Sequence, residues 1–178
     1  MTLDAIREAL PEHARDLKLN LGSVLTPQGA PGLTETQLWS VAVASAIAAR
    51  NPAFARAVEA SAGERLGGPA LAGAKAAAAV MGMNNVYYRF VHLVDDAEYR
   101  SMPARLRMNV IGNPGVPKAD FELASLAVSA VNGCGMCITA HEATLRKEGV
   151  PREAIQSAVR VAAVIHAVAA VLEYEQAA

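Results

Sequence analysis

No stretch of this 178-residue chain alternates β-branched and polar residues over the length of a strand, and that absence limits the fold more than any motif does. Alanine is abundant, aromatic residues make up only 4%, and the apolar positions recur with the period of a helix face. The expectation is an all-α bundle. By the usual length relation 178 residues make one domain, spanning 1–178, with enough chain to bury a sizeable core.

Turn and cap residues divide the chain. Leu3 to Leu10 and Ala14 to Leu25 read as short amphipathic helices interrupted at Pro11, followed by a Pro/Gly loop from Thr26 to Gly32. Thr34 with Gln37 is a capping-box pattern, which predicts a helix from about Glu35 to Arg50, ended by Asn51-Pro52. Further helices are expected over Pro52 to Ala62 and from Gly67-Gly68-Pro69 through Met83, continued over Asn84 to Val94 with a possible bend. Asn109 to Pro117 holds four Gly/Pro positions and is expected to be an irregular loop, of the length that often carries function. Asp120 to Val131, Cys134 to Glu148, and a segment from Pro151 to about Tyr174 complete the helices.

Sliding the chain against itself by 85 residues aligns Gln37-Leu38-Trp39-Ser40-Val41-Ala42 with Glu122-Leu123-Ala124-Ser125-Leu126-Ala127. A duplicated helical unit follows, with copies at about 34–94 and 119–174. In that register Glu122, Cys134, Cys137 and His141 face Gln37, Ala49, Pro52 and Arg56, so only the second copy carries chemistry.

Formal net charge is −1 with no run of Lys or Arg, so the chain lacks the electrostatic footprint of a nucleic-acid or anionic-membrane binder. The segment Met1 to Glu8 mixes acids with apolar residues, unlike a signal peptide, and the uncharged run Val161 to Leu172 is shorter than a membrane span. A cytoplasmic location is expected, with no membrane or nucleic-acid partner.

Both cysteines lie in Gly133-Cys134-Gly135-Met136-Cys137-Ile138-Thr139-Ala140-His141. Thiols three residues apart on a helix lie on one face and can close a disulfide. In a chain with two cysteines and no export signal, a redox-active pair is more natural than a structural staple. A helix starting at Cys134, after the Asn132-Gly133 turn, favours thiolate through its free N–H groups and dipole. His141 lies one turn beyond Cys137, and a base beside a thiol is what activation requires. Glu122, in the apolar run Phe121 to Val131, needs a partner if buried or serves as a first-turn acid. Across an antiparallel hairpin turning at Asn132-Gly133, Glu122 is about 15 Å and His141 about 12 Å from the turn by helical rise, level enough for a carboxylate to orient an imidazole. Two buried inert cysteines or a zinc site are the competing readings, but zinc needs two more ligands and only His141 and His166 are near in sequence. His13, His92 and His166 have no such partner and read as packing or surface residues.

The segment 109–141, with N-P-G-V-P-K, F-E-L, A-V-S-A-V-N-G-C and C-x-x-C-x-x-x-H-E, resembles the alkyl hydroperoxidase D family, related in fold to the carboxymuconolactone decarboxylases. Leu10-Pro11-Glu12, Gln37-Leu38-Trp39, Arg50-Asn51-Pro52 and Met81-Gly82-Met83-Asn84-Asn85-Val86-Tyr87-Tyr88 extend the likeness over essentially the whole chain. The resemblance implies an all-helical, internally duplicated protomer in a homotrimer, with weak hydroperoxidase activity of its own. It implies no bound cofactor, dihydrolipoyl groups of a lipoylated acyltransferase-type protein as electron donor, and a peroxiredoxin, alkyl hydroperoxide reductase C, as the protein reduced. The family's residues map onto Cys137 (peroxidatic, forming a sulfenic acid), Cys134 (resolving cysteine and proton donor), His141 (base and proton relay) and Glu122 (orienting His141 and relaying protons). Closeness to His141 favours Cys137 as the attacking thiol, whereas the helix start alone favours Cys134. Met136 replaces a histidine of the family pattern and cannot relay a proton. A decarboxylase-like lyase and a redox sensor or chaperone are the alternatives.

Overall fold

The computed structural model describes residues 2–176 and holds ten α-helices and no strand among them. The expected domain span 1–178 thus includes three residues, 1, 177 and 178, outside the described ones. α1 (Leu3–Glu8) is capped by Thr2; after Pro11 a 3₁₀ turn, Glu12–Ala14, leads into α2 (Arg15–Val24). α3 (Glu35–Ala48) opens on a complete capping box, with the Thr34 hydroxyl taking the Gln37 N–H and the Gln37 side chain taking the Thr34 N–H. The Asn51 side chain caps α4 (Pro52–Gly63), accepting from the Phe54 N–H at 2.9 Å. α5 (Gly68–Val94) runs 27 residues without a break, through Met83 and Asn84. Its one proline stands at the first turn, where its missing N–H costs no bond, and the Asn85 side chain is tied to Ser129 rather than to its own helix. α6 (Ala97–Ser101) follows, and α7 (Asn109–Gly112) puts one helical turn where an irregular loop is expected. The correction has a simple cause: Gly and Pro begin only at Gly112, and Val110 and Ile111, lying before them, pack on the core. α8 (Lys118–Val131), α9 (Gly135–Lys147) and α10 (Arg152–Gln176) complete the chain.

α3 and α8 form the centre. Each buries nine consecutive residues, Leu38 to Ala46 and Phe121 to Ser129, and nine in a row exceed two turns, so neighbours cover every side. α3 packs on α8, and α5 and α10 each pack on both. α4 lies against α3 and α9 against α8. α3 and α8 begin at residues 35 and 118, α4 and α9 at 52 and 135, a repeat of 83 residues rather than 85. Alanine-rich sequence matches itself at more than one offset, whereas helix ends admit only one. In this register Gln37 and Asp120 are equivalents, and they meet, Nε2 donating to Oδ1 at 2.8 Å.

α10 is the one helix among the described residues long and apolar enough to span a membrane by length and composition. Here its apolar face, including Ile155, Val161, Ile165 and Val168, is buried in the protein core.

Candidate active site

α8 ends at Val131, Asn132 is its cap, and Gly133 takes φ +66°, a left-handed conformation glycine adopts without steric cost. The Gly133 N–H bonds Ala130 O and the Cys134 N–H bonds Ser129 O, the two bonds of a Schellman stop. Arg89 holds the turn from outside, donating to Asn132 O at 2.7 Å, and Asn85 ties it from within by accepting from the Asn132 side chain. Cys134 therefore ends one helix and caps the next. It is not the first residue of α9 but its N-cap, with Sγ accepting the Cys137 N–H at 3.3 Å. The cysteines form a disulfide with Cα atoms 5.3 Å apart, inside the usual range. Cys134 is fully buried, while Cys137 is 6% exposed and faces a cavity.

His141, one turn past Cys137 on α9, meets Glu122 of α8, with Nδ1 to Oε2 at 2.6 Å. The two side chains are only 13% and 9% exposed, so solvent screens the contact little. With the carboxylate accepting, Nδ1 is the nitrogen that carries the proton, and Nε2 is turned toward α5. There it lies 3.3 Å from Met81 Sδ, a weak acceptor.

The cavity holds about 230 Å³ and is lined by Met81, Asn84, Tyr88, Ile111, Met136, Cys137, Ala140 and His141. Four of these, Met81, Asn84, Tyr88 and Ile111, come from α5 and α7, and cysteine spacing cannot find them. The signal for them lay in the Met81 to Tyr88 block and in the loop at Asn109. Met136 is more than a lost proton relay, since it forms part of the apolar wall. His92 and His166 are exposed; His13, expected to lack a partner, lies 3.6 Å from Glu175 Oε1 at the surface. Among the described residues no group of three His, Cys, Asp or Glu side chains is arranged to hold a metal ion.

The first copy makes the contrast. In the 83-residue register Cys134, Cys137, His141 and Glu122 correspond to Asn51, Phe54, Val58 and Trp39. Asn51 keeps the capping job of Cys134, and the other three are buried apolar side chains. The first copy thus has no counterpart of the cysteines, the imidazole or the carboxylate.

A helical hairpin bearing the Cys134–Cys137 disulfide at the head of its second helix, together with the match of the carboxymuconolactone decarboxylase family model to residues 97–178, places the protein among the carboxymuconolactone decarboxylase-type folds. Full-length relatives narrow this. The chain is 58% identical to the alkyl hydroperoxide reductase AhpD of Rhodospirillum centenum over 99% of this chain and 94% of that protein. It is 57% identical to AhpD of a Methylobacterium species over 100% and 99% of the two chains, and 54% identical to AhpD of Maricaulis maris over 98% and 99%. The chain belongs to the alkyl hydroperoxide reductase AhpD family.

Proposed function

We propose that the protein is a thiol-dependent alkyl hydroperoxide reductase in which Cys137 attacks and Cys134 resolves. One observation carries the reading: of the two sulfurs, only Cys137 faces the cavity, one turn from an imidazole whose far nitrogen is held by a buried carboxylate. In the dithiol form Cys137 loses its proton toward His141 Nε2, and its thiolate attacks the distal oxygen of the hydroperoxide. The O–O bond breaks, the alkoxide takes a proton and leaves as alcohol, and Cys137 becomes a sulfenic acid. Cys134 attacks that sulfur, water leaves, and the disulfide forms. The balance is two thiols and one hydroperoxide to one disulfide, one alcohol and one water.

A dihydrolipoyl group on a lipoylated acyltransferase-type protein would reopen the disulfide by thiol exchange, entering at Cys137 because Cys134 is buried. The regenerated dithiol would in turn reduce the disulfide of the peroxiredoxin alkyl hydroperoxide reductase C. No bound cofactor is required. We further propose a homotrimer in the cytoplasm; Val86, Phe90 and Leu93 leave an apolar stripe exposed on α5, beside Tyr99 and Met102, which supports self-association. The family-model match over 97–178 favours one second reading, a decarboxylase-type lyase, whose activity would survive replacement of both cysteines.

The test is free-thiol titration of the reduced protein before and after one equivalent of cumene hydroperoxide, then after reduced lipoamide. Two thiols per chain should disappear and return. Unchanged thiols would end the peroxidase reading.

A further inference from the structure

Two adjacent asparagines on α5 are both buried, and they are used differently. Asn85 donates to Ser129 Oγ at 2.9 Å and accepts from Asn132 Nδ2 at 3.0 Å, so it braces α8 and the turn before Cys134. Asn84 is 4% exposed, lines the Cys137 cavity, and its Oδ1 has no hydrogen-bond partner among the described residues. An unpaired buried amide oxygen costs stability, and a leucine of similar volume would remove that cost.

The rest of the cavity shows what the amide lies against. Met81, Ile111 and Met136 give it an apolar wall, and the Tyr88 hydroxyl is turned toward Met108 Sδ. Asn84 is therefore the lining residue with an unpaired polar group, its oxygen buried beside an otherwise apolar pocket that also holds Cys137. A carboxamide offers one acceptor and two donors together. An alkyl hydroperoxide presents the matching set: an O–H to donate and a neighbouring ether-type oxygen to accept.

Resting on the peroxidase reading above, we infer that Asn84 is the substrate-contacting residue that orients the hydroperoxide. Its Oδ1 accepts from the distal O–H, and its Nδ2 donates to the oxygen that departs as alkoxide. The distal oxygen is thereby turned to Cys137, and negative charge developing on the departing oxygen meets a donor. The cavity then selects molecules with an apolar body ending in one small group that both donates and accepts.

The first experiment compares reduced wild type with Asn84→Leu. The second-order rate constant for oxidation by cumene hydroperoxide should fall at least about tenfold, because the variant loses one neutral hydrogen bond and one to developing charge. Alkylation of Cys137 by iodoacetamide, followed against pH, should stay as in wild type, because Asn84 acts on the peroxide and not on the thiol. An unchanged oxidation rate would mean that the amide does not touch the peroxide; an alkylation profile displaced as far as the oxidation rate would assign Asn84 to the thiol. Either result overturns the inference. The second experiment needs no variant: ¹⁵N-labelled oxidised wild type is titrated with cumyl alcohol, the product with the same body and an O–H. The Asn84 side-chain NH₂ pair should shift saturably, and an unmoved pair overturns the inference even if Asn84→Leu fails to fold. Failure of wild type to oxidise at all would instead sink the peroxidase reading, while the alcohol titration still reads the contact.

Discussion

Glu122→Gln tests the link between the carboxylate and the thiol with little change of shape. Glu122 Oε2 lies 2.6 Å from His141 Nδ1, and side-chain exposures of 9% and 13% keep water from replacing the contact. A hydrogen bond to a charged group contributes about 1.5–3 kcal/mol net and a neutral one about 0.5–1.5 kcal/mol. The glutamine amide can still accept from Nδ1–H, so the loss is about 1–1.5 kcal/mol, which converts to a five- to tenfold weaker hold on a protonated imidazole. His141 is then a poorer proton acceptor for Cys137. The assay is iodoacetamide alkylation of the single thiol in a Cys134→Ser background, followed against pH. Glu122→Gln should lower the rate near neutral pH five- to tenfold and move the profile to higher pH. His141→Gln should do at least as much, and the double variant should be no worse than His141→Gln alone, because the carboxylate acts only through the imidazole. Coincident profiles for all of these proteins would refute the reasoning and remove the pair from thiol activation.

Other outcomes follow from particular residues. After peroxide, Cys134→Ser should carry a dimedone-trappable sulfenic acid on Cys137, whereas Cys137→Ser should trap none; the reverse would exchange the roles of the two thiols. Gly133→Ala has open space for its Cβ but must keep φ +66°, so urea titration should show a loss of about 1–2 kcal/mol, and no loss would mean that the turn relaxes. Phe54→Ala empties a fully buried site in the first copy; about 3–5 kcal/mol should be lost, lowering the thermal midpoint on the order of 10 °C, with the peroxide rate of the folded protein unchanged. A changed rate would show the two copies to be coupled.

Local physics made much of this protein legible before any fold was at hand. Helix periodicity, the Thr34–Gln37 capping box, the proline at the first turn of α5 and the turn at Asn132-Gly133 are decided within a few residues of chain, and the sequence alone determined them. The cysteine spacing permitted the disulfide without deciding it, and counting helical rise from the turn brought Glu122 level with His141. Tertiary structure decided the rest. The 83-residue register is set by which faces of α3 and α8 meet, and in alanine-rich helices the sequence pattern cannot rank neighbouring offsets. The turn of α7 forms because Val110 and Ile111 find a core to pack on, a contact supplied by distant segments. That Cys137 rather than Cys134 meets the cavity depends on α5 crossing beside α9. The partners that α5 brings, Met81, Asn84 and Tyr88, lie some fifty residues away along the chain, where no spacing rule reaches. Short-range hydrogen bonding and periodicity are written into the sequence, whereas the surroundings of a reactive sulfur are a property of the packed bundle.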